Sequence, residues 1–468
     1  GWNQSDPFYI PHITKIVLFT IIFIYCMFRG IILPIKKGTN FNKFSPIDLL
    51  NILFISCVGE KKTTLSEEEK EEIREDSTNT VVETAVGDIV LPPPYATESV
   101  RNTSKIIGWD LRQSPVVPDG FIVSRFADDL DHPRWMYVGE NGDIFVAESD
   151  DASSSANKIK LLRDTDGNNT VDENYIFLDN LNQPFGMLII GDYFYVANVD
   201  ALVRYPYKVG QTKITAAPEV IKELPAGGYN HHWTRNIITN KNNSKIYITV
   251  GSSSNVGEHG MEKEERRANI LEINPDGSGE KVYAAGIRNP IGMDWNPITG
   301  EMWTAVNERD KLGDNLVPDY ATSVKEGGWY GWPYSYYGQI RDPRWKDDPH
   351  PDMVEKAIVP DVPLGAHTAS IGLTFYTENK FPEKYRNGAF VGQHGSWNRS
   401  KLAGYKVVFI PFDENGNPQP PEDFMTGFIA NEDGTEVHGR PVGVTQTPDG
   451  DLLVTDDDAG IIWVVSTK

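Results

Sequence analysis

The chain has 468 residues, of which 39% are hydrophobic and 11% aromatic, enough for one large globular domain or two ordinary ones. Its formal net charge of −22 argues against a nucleic-acid-binding protein, because such proteins concentrate positive charge on their surface. The only cysteines, Cys26 and Cys57, stand near the start, so the rest of the chain carries no disulfide, thiolate metal site or catalytic thiol.

Two apolar runs near the start predict an export or membrane signal. The first, residues 16–28, is interrupted by Arg29 before it reaches a comfortable membrane span. The second, residues 47–57, follows several lysines and ends at Cys57, which is the order of a bacterial lipoprotein signal. An uncleaved anchor is the alternative. Both interpretations make residues 1–57 a signal or anchor segment with membrane attachment, and both predict a periplasmic or cell-surface domain.

Residues 58–105 are rich in glutamate and end near an "LPPP" sequence. A segment with so little apolar surface is expected to be a disordered acidic linker, with a short helix over Ser66 to Glu75 as its one candidate element. The folded domain is therefore predicted to span residues 106–468.

The remainder of the chain repeats one plan about six times. Each unit has a polar corner, a strand, an Asn, Asp or Gly turn, and a second strand of alternating apolar residues, as in "LNQPFGMLIIGDYFYVANVD" and "HGRPVGVTQTPDGDLLVTDDD". Units at this spacing, each one antiparallel sheet unable to bury both faces alone, are typical of a β-propeller. We therefore expect an all-β fold with six blades; a long sandwich is the alternative.

The corners of a propeller's blades meet at one face, so residues distant in sequence converge there. Several of these corner residues are arginines, and arginines brought together in an acidic protein predict a binding site for an anion. The alternative is that each arginine pairs with a carboxylate of its own blade. The corner residues are Arg134, Pro184, His232, Arg235, Arg288, Asn289, His394, Trp397, Arg399 and Arg440.

Eight motifs over residues 121–465 resemble the soluble pyrroloquinoline quinone (PQQ) dependent sugar dehydrogenases, especially their sorbosone or pyranose dehydrogenase branch. They are "HPRWM", "HWTRN", "VGSSSNV", "GIRNPIGMDW", "NERDKLGDNLVPDY", "GGWYGWPYSYYG", "HGSWNRS" and "GRPVGVTQTPDGDLLVTDD". The resemblance implies a six-bladed propeller that holds PQQ beside a calcium ion and oxidises a sugar alcohol or aldehyde hydrate.

The resemblance also implies roles for individual residues. His232 matches the general base, whose pKa suits proton abstraction near neutral pH, and His231 competes with it for that role. Arg288 and Asn289 match the positions that hold the hydride-accepting carbonyl, where Arg288 would stabilise developing negative charge. The cofactor's carboxylates would be held by arginines, and the matching positions are Arg134, Arg235, Arg399 and Arg440.

The sequence departs from the family pattern beside the candidate base. One branch has an aspartate that supports the histidine, whereas Ser252 follows Gly251 here, so another group must orient the imidazole.

The resemblance also implies a calcium site. The "NERDKLGD" loop is expected to offer Ca²⁺ the backbone carbonyls of Arg309 and Asp310. The chain has no "CxxCH" haem site, so its electrons are expected to pass to an external quinone or cytochrome.

Two further segments have functional and purely structural interpretations. Asp164 to Tyr175 follows the spacing of a calcium loop but lacks its glycine and glutamate, which favours an ordinary turn. The aromatic cluster around Tyr334 to Tyr337 could stack on sugar rings or pack one blade on the next; we expect Trp329 and Trp332 to pack in the core and Tyr334 to Tyr337 to be more open to a binding role. Two other functions fit a propeller: a calcium-dependent lactonase, which would need carboxylates and asparagines at a central metal, and a non-catalytic binding module.

Overall fold

The computed structural model describes residues 65–431 and 433–468. The predicted signal or anchor segment and residues 58–64 of the predicted linker lie outside these residues. Thr64–Lys468 is a single compact unit. Within the described part of the chain, no helix has both the length and the apolar character needed to cross a bilayer.

The described chain begins with a small helical and hairpin region and then enters the propeller through a single strand. These first elements are α1 (Glu67–Asp76), β1 (Thr80–Thr84), β2 (Gly87–Leu91), β3 (Lys105–Ile106) and β4 (Phe121–Ala127).

Six four-stranded antiparallel sheets follow, which confirms the predicted six-bladed propeller. Blade 1 consists of β5 (Pro133–Val138), β6 (Ile144–Glu148), β7 (Lys158–Arg163) and β8 (Glu173–Leu178). Blade 2 consists of β9 (Met187–Ile190), β10 (Tyr193–Ala197), β11 (Ala201–Pro206) and β12 (Glu219–Glu223). Blade 3 consists of β13 (Ile237–Thr239), β14 (Ile246–Val250), β15 (Asn269–Ile273) and β16 (Lys281–Ala285).

Blade 4 is interrupted by an insertion before its last strand. It consists of β17 (Pro290–Trp295), β18 (Met302–Val306), β19 (Pro318–Ser323) and β22 (Val362–Ala366), and the insertion carries β20 (Ser335–Tyr336), β21 (Ile340–Arg341) and α2 (Pro351–Glu355). Blade 5 consists of β23 (Thr374–Phe375), β24 (Ala389–Gln393), β25 (Lys406–Ile410) and β26 (Glu422–Met425). Blade 6 consists of β28 (Pro441–Gln446), β29 (Leu452–Asp456), β30 (Ile461–Thr467) and β4, and β27 (Glu436–Val437) precedes it.

The ring is closed by contact between first strands, each of which packs against the first strands of both neighbouring blades. The blades approach so closely here that some positions exclude any side chain. A Cβ on Gly292 would lie 2.4 Å from the Leu373 nitrogen, and one on Gly372 would lie 2.1 Å from the Val442 carbonyl oxygen. These glycines explain the recurring "IG" and "VG" dipeptides at the start of the repeats.

The second strands of blades form the core, because neighbouring blades cover both of their faces. Every residue of β6, β14, β18, β24 and β29 is buried. The first strands instead end in half-buried residues at their far ends, as in β5 and β17. A sheet buried on both faces reads as a continuous apolar run, which is what these second strands show.

The predicted disordered linker is wrong for residues 65–105. Ser66 and Glu69 form a reciprocal capping box at the start of α1, β1 pairs with β2, and Val82 and Leu91 are buried in the core of blades 3 and 4. The composition of the segment does not predict that it is ordered, because its few apolar residues are buried only when they pack on the propeller.

Candidate functional site

The candidate residues lie at one end of the propeller, which we call the upper face. The first strand of each blade begins at this end. The loop that connects the second strand to the third lies at the same end, because neighbouring strands are antiparallel. These loops span residues 251–268 in blade 3, 307–317 in blade 4, 394–405 in blade 5 and 457–460 in blade 6. Antiparallel pairing therefore places these four loops beside the starts of the first strands.

His232 is buried and held in one orientation. Its Nδ1 lies 2.8 Å from the Ser252 carbonyl oxygen and 3.0 Å from the Ser252 hydroxyl. A carbonyl can only accept, so Nδ1 donates to it and Nε2 carries the free lone pair. Burial and the Arg288 charge hold the pKa of His232 well below its usual range. The Ser252 carbonyl thus performs the orienting role that the sequence left unassigned.

Asn289 lies against His232 across a glycine. A Cβ on Gly251 would stand 2.3 Å from the Asn289 Oδ1 and 2.6 Å from the His232 Cβ, so only glycine lets the two side chains approach. Asn289 is buried, and its Oδ1 has no hydrogen-bond partner among the described residues. A buried, unpartnered amide oxygen close to the His232 side chain is an arrangement that a polar ligand would complete.

Arg288 is fully buried, and its N–H groups already have protein acceptors. Its Nη1 donates to the Asn307 and Glu308 carbonyls, its Nε to the Asn255 carbonyl, and its Nη2 to the Asn255 Oδ1. Nη2 also lies 3.3 Å from an Asp310 carboxylate oxygen. Arg288 therefore acts on the site through its charge, because it has no N–H left to donate to a ligand.

The Asp310 carbonyl is unsuited to the metal role that the sequence predicted for it. It accepts hydrogen bonds from the Asn255 Nδ2 at 3.0 Å and the Arg309 Nη1 at 3.1 Å, which occupy both lone pairs. The Arg309 carbonyl receives only a 3.4 Å bond from the Val317 nitrogen. The Asp310 carboxylate is bonded to His367 and Arg288, which together bring its pKa below the usual value although burial raises it.

A second cluster lies where blades 5, 6 and 1 meet. Arg134 is bonded to the Asp457 carboxylate, and the His394 Nε2 lies 2.9 Å from the same carboxylate. The interactions with His394 and Arg134 hold the pKa of Asp457 far below its usual value, although burial raises it. Burial and Arg440 lower the pKa of His394 to about 4, so this imidazole is neutral at neutral pH.

The other predicted arginines differ in exposure. Arg440 is half-buried, donates to the His394 and Gly395 carbonyls, and lies 3.6 Å from Asp458. Arg399 is also half-buried and donates to Asn315 Oδ1 and the Ala366 carbonyl. Arg235 is fully buried and donates to the carbonyls of His232, Thr234 and Pro225. Arg235 therefore supports the histidine loop from below.

The structure thus brings the corner residues together. The expected excess of positive charge is reduced, because carboxylates pair with two of the arginines. Arg134 and Arg288 each pair with a carboxylate, from Asp457 and Asp310. The two clusters are connected through Trp233, whose ring centroid lies 5.5 Å from the Arg134 guanidinium carbon. The upper face is a charge-balanced polar surface, in which Arg134, Arg399 and Arg440 are each partly exposed.

Asn255 and Asp457 were missed by the sequence interpretation. Asn255 connects Arg288, Asp310 and the Trp332 indole, and its signal lay in the "VGSSSNV" motif. Asp457 lay in the "VTDDD" run, where its neighbours Asp456 and Asp458 were equal candidates. Their partners are distant in sequence, so only the folded ring identifies them.

The two additional segments take their structural interpretations. Tyr336 and Tyr337 are buried in the core of blades 3 and 4, which leaves only half-buried Tyr334 near the surface. Asp164, Asp166 and Asp172 bring carboxylate oxygens within 4.8 Å of one another. However, these oxygens accept backbone N–H bonds from Gly167, Asn168, Asn169 and Thr165. Such bonds are typical of an Asp-rich turn.

Comparisons with known proteins agree with this architecture. An uncharacterized protein of Borreliella burgdorferi is 29% identical over 370 residues, which cover 75% of this chain and 90% of the relative. The pyrroloquinoline quinone-dependent pyranose dehydrogenase of Coprinopsis cinerea is 23% identical over 75% of this chain, and the match covers 54% of that enzyme. This chain therefore spans about half of its length.

The same fold is found among solved structures. The holo form of the pyranose dehydrogenase PQQ domain from Coprinopsis cinerea superposes with a TM-score of 0.64 at 20% identity, covering 78% of this chain and all of that domain. A sequence model described as TrAA12-like matches residues 115–328 and 350–468, which is most of the propeller. The chain belongs to the TrAA12-like family.

Proposed function

We propose that this protein is a sugar oxidoreductase that uses PQQ as its cofactor and His232 as its general base. The observation that carries the proposal is a buried His232 whose Nδ1 is fixed by the Ser252 carbonyl, next to the buried and unpartnered Asn289 Oδ1 across Gly251. The family membership and the pyranose dehydrogenase relative support the cofactor and the substrate class.

The described residues fit a multiply charged, planar ligand. Arg134, Arg399 and Arg440 are half-buried, and Arg134 has a buried Nε without an acceptor, so guanidinium N–H groups remain for carboxylates. The unpartnered Asn289 Oδ1 would accept a hydrogen bond from an O–H or N–H group of the bound ligand. The Asp310 carbonyl already accepts two hydrogen bonds, so of the two predicted calcium ligands only the Arg309 carbonyl could bind the ion.

PQQ, when bound, supplies the two-electron acceptor for a hydride from the sugar carbon. The chain's own contribution is to move the hydroxyl proton. His232 is neutral because its pKa is lowered, so Nε2 can accept that proton, and the Ser252 carbonyl then stabilises the imidazolium through Nδ1. Arg288 stabilises negative charge near the acceptor through its field.

His394, Asp457 and Asp458 form a group that could hold a metal ion, but the Asp457 carboxylate is already bonded to the Arg134 guanidinium, whose positive charge opposes a cation there and disfavours the lactonase alternative. We further propose that electrons leave to an external quinone or cytochrome at the cell surface or in the periplasm. The sequence contains no covalent haem motif that would accept them.

The test compares two adjacent histidines. We expect His232→Gln to lower kcat by roughly 10²- to 10⁴-fold, because the base is lost, while PQQ still binds with nearly unchanged affinity. His231→Gln should keep most of kcat. The measurements are PQQ titration by absorbance and sugar-dependent dye reduction. Full turnover in His232→Gln together with its loss in His231→Gln would reverse the assignment.

A further inference from the structure

A row of aromatic rings extends from the buried histidine to the solvent. The His231 and His232 ring centroids are 4.6 Å apart, and the Tyr229 ring lies parallel to that of His231 within 5°, with centroids 5.9 Å apart. The His259 ring packs against Tyr229 at 4.5 Å. The inner end of this row is the proposed base.

The outer three rings are exposed although their backbone is fixed. Tyr229 is 52% exposed, and His231 and His259 are also exposed. The Ser253 hydroxyl donates to the Tyr229 carbonyl, and the His231 nitrogen donates to the Ser253 carbonyl at 3.0 Å. Loops 226–231 and 251–260 thus hold one another while the rings face solvent.

Single exposed aromatic residues are common, but a contiguous exposed cluster beside a buried reactive group is typical of a ligand-binding surface. Ring faces carry partial negative charge and attract the polarised C–H groups of a ligand. Partial desolvation and the Arg288 charge lower the pKa of His231, so its ring is neutral at neutral pH and contributes a π face.

We propose that Tyr229, His231 and His259, which we call the aromatic platform, bind the substrate as a closed pyranose ring by stacking on its C–H face. A pyranose has such a face, whereas an open-chain polyol or aldehyde hydrate does not hold its C–H groups in one plane. The platform therefore selects the cyclic sugar and presents a ring hydroxyl to His232. This inference rests on the proposed function.

The first test is kinetic and uses the PQQ-loaded protein. Tyr229→Ala and His259→Ala are expected to raise KM for a pyranose such as glucose about tenfold, with kcat within about twofold and PQQ affinity unchanged, because stacking on one base-sized ring is worth roughly this much. Tyr193→Ala is the matched control, since Tyr193 lies at the opposite end of blade 2. Unchanged KM in both platform variants would overturn the proposal.

The second test does not need turnover. Saturation-transfer NMR on the cofactor-free protein should show contact from aromatic protons to the C–H groups of one face of glucose, and none to its open-chain alditol. The signal should disappear in Tyr229→Ala and persist in Tyr193→Ala. If the protein shows the glucose contact but does not bind PQQ, the aromatic platform stands and the proposed oxidoreductase function is refuted. PQQ-dependent turnover with equal contact to the alditol would refute the platform alone.

Discussion

At the scale of single residues, the upper face works by charge compensation over long sequence distances. Asp457 is held by Arg134 and His394, and Asp310 by Arg288 and His367. A buried ion pair contributes little net stability, but removing one partner leaves a costly buried charge. These pairs therefore fix the geometry of the site more than they stabilise the fold.

The lowered pKa of His394 makes stability depend on pH. Its folded pKa is about 4 because of burial and Arg440, against the ordinary 6.5, so between these values the unfolded chain binds a proton that the folded chain does not. Stability should therefore fall as pH decreases from 6.5 to 4, by roughly 2–3 kcal/mol from this group. Urea unfolding at several pH values should show a shallower decline in His394→Gln. Parallel curves for the two proteins would contradict the assignment.

At the scale of elements, residues 93–109 form a strap across the loops of the upper face. The Asp314 nitrogen donates to the Thr97 Oγ1 at 2.7 Å, and the Tyr95 nitrogen donates to the Leu312 carbonyl at 2.8 Å. The Asn102 amide donates to the Ser400 carbonyl at 3.0 Å. The strap thus connects the loop that carries Asp310 to the loop that carries Arg399, although it lies before the region matched by the family.

Removing hydrogen bonds of the strap should lower the affinity of the site for PQQ, although the strap itself is not expected to contact PQQ. We expect Thr97→Val and Asn102→Leu to lower PQQ affinity by up to about tenfold each, because each loses a hydrogen bond worth about 1 kcal/mol. Isothermal titration with PQQ measures this effect. Thr103→Val is the matched control, since the Thr103 hydroxyl contacts only the neighbouring Arg101 among the described residues. Equal affinities in all three variants would show that the strap is passive.

The sequence predicted some of these elements and missed others for physical reasons. The six blades were predictable because each repeats a largely buried second strand, and several also carry a close-packed glycine such as Gly292 or Gly372. His232 was predicted from its motif, whereas its partner, the Ser252 carbonyl, was not. Every residue has a backbone carbonyl, so the sequence does not indicate which one will face the histidine. The ordered hairpin that precedes the strap was missed because Val82 and Leu91 are too few to predict a folded segment until the propeller covers them.

At the scale of the whole molecule, the ring is closed by pairing β4 with β30. Val123 pairs with Val465, Phe121 pairs with Thr467, and Phe121 and Phe126 are buried in the blade cores. The first strand of the propeller is therefore the outer strand of its last blade. Opening this sheet would expose the edge of blade 6 and break the circle of first strands.

Two truncations separate the strap from the closing strand. A chain that starts at residue 115 retains β4 and should unfold cooperatively, with weaker PQQ binding because the strap is absent. A chain that starts at residue 128 loses β4, so the ring stays open and cooperative unfolding should be lost. Thermal unfolding followed by circular dichroism measures both. A cooperative transition in the shorter chain would show that β4 is dispensable.

The pairing of β4 with β30 also has a consequence during synthesis. Five blades emerge between these two strands, so β4 must wait with its backbone donors and acceptors uncovered until β30 appears. An uncovered strand edge invites pairing with other chains. The acidic character of the segment that precedes β4 would then help to keep nascent molecules apart by mutual repulsion, before they have any ring to protect them.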